Sequence, residues 1–280
     1  MTRRTLAFTL PVIVVLGLLL GSGAGAQQPA AAAWITAWGT SQQALGMMTT
    51  RNATVRMIAR VTIPGEAVRI RLDNTFGTGP LAIGKAYVGQ RIQGAALAAG
   101  SNRPALFRGS TSVTIPAGGS VVSDPVSLKV LAWQDLAVSL YIPEANVRPS
   151  QHTGAAVTSY LSADGSGDVA ADETRTPFTA TTTFTFWLKA IDVLSSASTG
   201  AIVALGDSIT DGTCTTLDAH DRWEDWLAVR LQQDAANRGN DGVHKAVVNE
   251  GIGGNTITRE NLSDPPASPP GIERLDRDVL

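Results

Sequence analysis

The hydrophobic rhythm of the chain changes once, at residues 195–200, and that change calls for two unlike halves. Ahead of it, Val55, Met57, Ala59 and Val61 alternate with Thr54, Arg56, Ile58 and Arg60. A two-residue period is that of a strand with one face buried. After the Pro64-Gly65 turn, Val68, Ile70 and Leu72 alternate with Arg69 and Arg71, and Leu136, Val138, Leu140 and Ile142 repeat the pattern. Val113 and Ile115 run into the turn Pro116-Ala117-Gly118-Gly119 before Val121, and Phe184, Phe186 and Leu188 predict a late strand. Short alternating strands joined by Gly and Pro turns predict an antiparallel β-sandwich over residues 33–194.

The segment 195–200, Ser-Ser-Ala-Ser-Thr-Gly, is small and polar and reads as a linker. Residues 201–205 are then continuously apolar, as expected of a parallel strand covered on both faces. A helix is predicted next, with Trp223, Trp226, Leu227 and Leu231 on one face, Asp221 and Glu224 at capping-box spacing, and Gly239 as its stop. Ala246-Val247-Val248 predicts a second buried strand, parallel to the first through a right-handed crossover. Ile272, Leu275, Val279 and Leu280 begin a further amphipathic helix in which the printed sequence ends. Two strands and two helices cannot cover a parallel sheet, so 201–280 reads as the first part of a longer α/β domain, cut short.

Residues 1–26 read as a secretory signal peptide: Arg3 and Arg4, an apolar run over 6–20, then Ala24-Gly25-Ala26. The mature chain is therefore expected outside the cell or in the periplasm, with no stable membrane span. Removing those two arginines leaves 20 basic against 24 acidic residues. No basic stripe remains to bind nucleic acid. Cys214 is the sole cysteine, so no internal disulfide forms and the thiol reads as a small packing residue. Three scattered histidines and one cysteine have no metal-ligand spacing; no metal or other cofactor is expected.

Gly206-Asp207-Ser208-Ile209-Thr210 directly follows the first apolar strand. Reactive groups of open α/β sheets gather at the carboxyl ends of strands. Ser208 there combines a nucleophilic hydroxyl with a backbone N–H free to hold an oxyanion. The Gly-x-Ser-x-Gly elbow is excluded by Thr210. The second strand ends at the same edge in Asn249-Glu250-Gly251-Ile252-Gly253-Gly254-Asn255-Thr256, whose glycines leave amides unobstructed. A dinucleotide fingerprint fails there, because Thr256 stands where its third glycine belongs.

The stretch Ala204-Leu205-Gly206-Asp207-Ser208-Ile209-Thr210-Asp211-Gly212 resembles the first signature block of the GDSL/SGNH hydrolase family, and residues 249–256 resemble its second. Trp38-Gly39-Thr40-Ser41-Gln42, Asn74-Thr75-Phe76-Gly77 and Arg222-Trp223 are similar to bacterial secreted members with an N-terminal β-domain. The resemblance implies a flavodoxin-like parallel sheet and a small ester or an acylated carbohydrate or lipid as substrate. It implies that Ser208 attacks the ester carbonyl while the N–H groups of Ser208 and Gly254, or its neighbour Gly253, hold the oxyanion. Gly206 and Asp207 shape the turn, Asp207 through local hydrogen bonds rather than as the triad acid.

Family members also carry a Gly-x-Asn-Asp block and a final Asp-x-x-His block, and neither follows Gly254 here. Asp241-Gly242-Val243-His244 spells Asp-x-x-His but precedes the second strand. About five strand residues at roughly 3.3 Å each put it on the order of 16 Å from the serine level, against the about 3 Å that a base needs. His220 lies in a loop with no orienting acid in view, and His152 reads as an ordinary histidine of the β-region. Little ester turnover is therefore expected of this polypeptide. A second reading is a non-catalytic sandwich that binds carbohydrate or a surface partner through Trp34, Trp38 and Trp133, attached to a hydrolase remnant.

Overall fold

Strands dominate the computed structural model, which describes residues 31–196, 198–238, 244–261 and 268–280. The signal segment 1–26, Gly239 and residues 241–243 lie outside the described residues. The first strands are β1 (Ala33–Gly39), β2 (Ala44–Leu45), β3 (Ala53–Val61), β4 (Val68–Asp73), β5 (Leu81–Ile83) and β6 (Lys85–Gln93). Next come β7 (Ala96–Leu97), β8 (Arg103–Pro104), β9 (Val113–Ile115), β10 (Ser120–Val122), β11 (Gln134–Ile142) and β12 (Ser150–His152). The last are β13 (Ser159–Ser162), β14 (Phe178–Thr182), β15 (Thr185–Phe186), β16 (Leu188–Ser195), β17 (Ser198–Gly206) and β18 (His244–Gly251). The α-helices are α1 (Ser208–Asp211), α2 (Trp223–Asn237) and α3 (Gly271–Asp278).

All pairings up to β16 are antiparallel. One sheet has the order β1-β16-β4-β10, and a larger one runs β14-β13-β3-β11-β6-β7, with β8 also on β6. Val55, Met57 and Val61 of β3, Ile70 and Leu72 of β4, Val138 and Leu140 of β11, and Ile191 and Val193 of β16 form the buried core. The predicted alternation is observed in β4, where Val68, Ile70 and Leu72 are buried and Arg69 and Arg71 are half-buried, whereas β3 and β11 are buried on both faces.

The opposite face of β3 departs from the half-exposed reading. Thr54, Arg56 and Ile58 are buried as well, Ile58 within a second small cluster with Leu97, Ala137 and Val157. Arg56 donates to Ser139 Oγ at 2.8 Å and to Ala95 O at 2.6 Å, also bonds Asp172 O, and lies 4.1 Å over the Phe178 ring. Burial lowers its pKa to about 10, with the charges of Asp172 and Glu173 opposing. An arginine in a period-two pattern reads as solvent-facing; its acceptors come from Ser139 of β11, from Ala95 and from the loop around 170–178, and these let it be buried.

β17 and β18 form the parallel pair, in register from Ala201↔Ala246 to Gly206↔Gly251. Among the described residues it is the only parallel pairing, so the flavodoxin-like sheet is not seen. β1 lies against both strands, α2 against β18 and α3 against β17. Cover comes from one antiparallel strand and two helices rather than from further parallel strands. β18 is buried through Ala246, Val247 and Val248 as expected, whereas over residues 200–206 of β17 Ala204 alone is buried and Ile202 is exposed. Ala246 joins the core of the β-strands, so the two halves share one apolar interior. β16 ends at Ser195 and β17 begins at Ser198, within the stretch 195–200 read as a linker. No described helix is long and apolar enough to cross a membrane.

Helix α2 is rotated from its predicted face: Trp223 and Trp226 are exposed, while Glu224, Ala228 and Ala235 are buried. Its capping box is Arg222 with Asp225, one residue later than Asp221 with Glu224. Small residues at 228 and 235 let the helix approach β18 closely, which the bulky indoles would prevent. Glu224 is 3% exposed and neither carboxyl oxygen has a hydrogen-bond partner. Burial pushes its pKa up from 4.5 to about 7. Because the folded value is raised, native stability is unaffected below about pH 4.5 and falls as pH rises towards 7. Glu224→Gln should therefore match the parent near pH 4 and exceed it by roughly 3 kcal/mol at pH 8, measured by urea unfolding at both values.

Candidate active site

The two glycine-bearing turns leave adjacent parallel strands at one rim. Ser208 opens α1 directly after β17 and is half-buried. Asp207 is the N-cap, and its side chain accepts from Ile209 N at 3.0 Å. That local role is the one expected of it. At the end of β18, Ile252 N donates to Gly206 O at 3.1 Å and Asn255 N to Ile252 O at 3.0 Å, which closes the second turn. Gly254 sits at φ +72 with open space where a Cβ would be. Gly251 has no such room: a Cβ there would stand 2.2 Å from Asp211 N, so α1 and β18 pack backbone to backbone.

The alternatives Gly253 and Gly254 are distinguished by their bonds. Gly253 N donates to Asp211 Oδ2 at 3.0 Å, and no such bond is recorded for the Gly254 amide among the described residues. Asp211 faces a second group through its other oxygen, 3.0 Å from His152 Nε2, while His152 Nδ1 lies 2.9 Å from Ser41 O. Both ring nitrogens of His152 are engaged, one with each half of the chain. His152 is thus the clamp between the β-half and α1, not an ordinary buried histidine.

Below the rim, Arg274 of α3 is buried and fans across both turns. Its Nη2 donates to Gly206 O and to Asn255 Oδ1, both at 2.9 Å, and its Nε to Asn255 Oδ1 at 3.0 Å. Its Nη1 reaches Glu250 O at 2.7 Å, Ser41 Oγ at 2.8 Å and Asp278 Oδ2 at 3.1 Å. Ser41 Oγ lies 2.6 Å from Glu250 Oε2 and 2.9 Å from Asp278 Oδ2. Burial, then the Asp278 charge, pushes Glu250 up to about 8. The Ser41 hydroxyl has a single proton to share between the Glu250 and Asp278 carboxyl oxygens, and it accepts from Arg274 Nη1. For Asp278 itself, burial works upward, but the bonds and charge of Arg277 outweigh it and hold the carboxyl low.

Sequence reading found Ser208 and the glycine turn but missed Ser41, His152, Asp211 and Arg274 as their supports. Ser41 and Asp211 stand inside quoted motifs, and Arg274 with Asp278 has helical i,i+4 spacing, so signals existed; their partners lie far away in the chain. No hydrogen bond joins His220 or His244 to Ser208 among the described residues. His220 Nε2 is 3.7 Å from Asp135 Oδ1, and His244 pairs with Ser198 at the opposite ends of the two strands. Cys214 is exposed rather than packed. Trp34 stacks under Arg69, Trp38 packs on the core and Trp133 lines a separate groove, so the three form no common platform. Among the described residues no group of His, Cys, Asp and Glu can hold a metal ion.

A mostly apolar cleft of about 600 Å³ adjoins the rim, lined by Asp207, Asn255, Ile257, Ile272 and Leu275 among others. Comparison with curated proteins finds no match. The end of β17, the turn and helix around Ser208, the glycine turn beside it and the start of α3 fall within residues 202–275, which match the family model described as GDSL-like Lipase/Acylhydrolase.

Proposed function

We propose that the chain is a secreted serine ester hydrolase in which Ser208 is the nucleophile and the N–H groups of Ser208 and Gly254 hold the oxyanion. The observation that carries this reading is the emergence of both turns from adjacent parallel strands at one rim, with Gly253 N–H taken by Asp211. A hydroxyl and an uncommitted amide side by side are what acyl transfer needs: the hydroxyl adds to the carbonyl carbon and the amides receive the charge on its oxygen. The apolar cleft beside Asp207 and Asn255 is suited to the acyl part of the ester. No cofactor takes part.

None of the three histidines bonds Ser208, so the hydroxyl lacks an imidazole base here. Triad members act as a unit, and absence of the base costs on the order of 10⁴-fold or more. The purified chain should therefore turn over p-nitrophenyl acetate barely above background, yet take up a fluorophosphonate slowly and at one residue. Peptide mapping should place the label on Ser208, and Ser208→Ala should abolish it. Labelling at another residue, or undiminished labelling of Ser208→Ala, refutes the assignment.

A further inference from the structure

A groove of about 260 Å³ lies on the seam between the β-half and α2, away from the two turns. Arg60 and Trp133 line it from the β-half, and His220, Asp225, Trp226 and Val229 from the loop and helix opposite. Its volume is near the lower end for small-ligand pockets. Two features mark it as built for an occupant. Trp133 and His220 hold positive φ values of 66° and 51°, a left-handed conformation that bulky residues avoid unless their surroundings impose it. The His220 side chain is 7% exposed, and its Nε2 has no hydrogen-bond partner among the described residues. The nearest carboxylate oxygen, on Asp135, is 3.7 Å away, beyond bonding range.

We infer that this groove binds one uncharged pyranose ring of an oligosaccharide. Two indoles offer apolar faces, with Trp226 59% exposed on a helix whose buried side is elsewhere. Around them stand polar groups whose charges are already matched: Arg60 Nε bonds Asp135 Oδ1 at 2.7 Å, and Arg222 Nε bonds Asp225 Oδ2 at 3.0 Å. An ionic ligand would have to break those pairs. An alkyl chain would cover His220, Arg60 and Asp225 without bonding them, at a desolvation cost. A pyranose matches both demands, since its C–H face stacks on an indole and its rim hydroxyls both donate and accept. Burial, then Arg60, lowers the pKa of His220, which keeps this part of the lining uncharged. The inference does not depend on the chemistry of Ser208.

The test is titration of the full chain with cellohexaose, xylohexaose, mannohexaose and chitohexaose, followed by calorimetry and indole fluorescence. At least one should bind with a Kd of about 1 mM or tighter. Trp226→Ala, an exposed site that leaves the fold intact, should weaken binding at least about tenfold. Trp34→Ala, remote from the groove, should leave affinity unchanged. Absence of binding by all four sugars up to about 10 mM overturns the inference. So does binding that survives Trp226→Ala, or a Trp226-dependent signal given by octanoate and not by the sugars.

Discussion

Arg274→Met should lower the thermal midpoint by about 10 °C. The methionine matches the stem in volume but removes every donor, leaving Asn255 Oδ1 and the carbonyl of Glu250 without the bonds they receive from Arg274. Gly206 O keeps its bond from Ile252, and Asp278 keeps Arg277 and Lys189, so the loss is not of the whole network. Breaking one member of a buried ionic cluster costs roughly 3–5 kcal/mol, which in a chain of this size is about 2–4 °C per kcal/mol. Arg274→Lys should recover little, because one ammonium cannot span two carbonyls, a hydroxyl, a carboxylate and an amide. Calorimetry of the three proteins checks this; a fall below about 2 °C for methionine would show that the fan of bonds is dispensable.

The second large effect is expected at Asp211. Asp211→Ala removes the acceptor of the Gly253 amide and the partner of His152 Nε2 in one step. Each buried polar group left unpaired costs about 1–3 kcal/mol, so a loss of roughly 3 kcal/mol in urea unfolding is expected. Hydrogen exchange at Gly253 should accelerate, because its amide loses the tie to α1, whereas that at Gly254 has no such bond to lose among the described residues. Asp211→Asn keeps an acceptor for Gly253 and should restore about half of the lost stability. If exchange at Gly253 is unchanged in the alanine variant, the tie is not what holds the turn.

Both predictions concern residues whose importance local sequence reading did not register, and the reason is physical. The alternation of Val55, Met57, Ala59 and Val61, or the run 201–205, is written into neighbouring residues because strand geometry repeats every two positions. Asp211 carries no such signal. Its partner His152 is 59 positions away and is delivered by β12, a strand of three residues. Ser41 and Arg274 are 233 positions apart and meet at 2.8 Å. Helix α2 misled for the opposite reason. Its indoles look like a core face, but Ala228 and Ala235 give the closer approach to β18, and Trp226 is left for the groove.

Sequence alone determined the strand-rich first half, the parallel pair after the linker, and the candidate nucleophile and glycine turn at their ends, since each depends on periodicity or on residues within one turn of the chain. Only the tertiary structure decided that β1 rather than further parallel strands lies against that pair, that Gly253 is committed and Gly254 is not, and that His152 and Arg274 clamp the two turns from opposite halves. Those outcomes rest on buried polar groups finding partners across long stretches of chain, and such pairing is settled by three-dimensional packing.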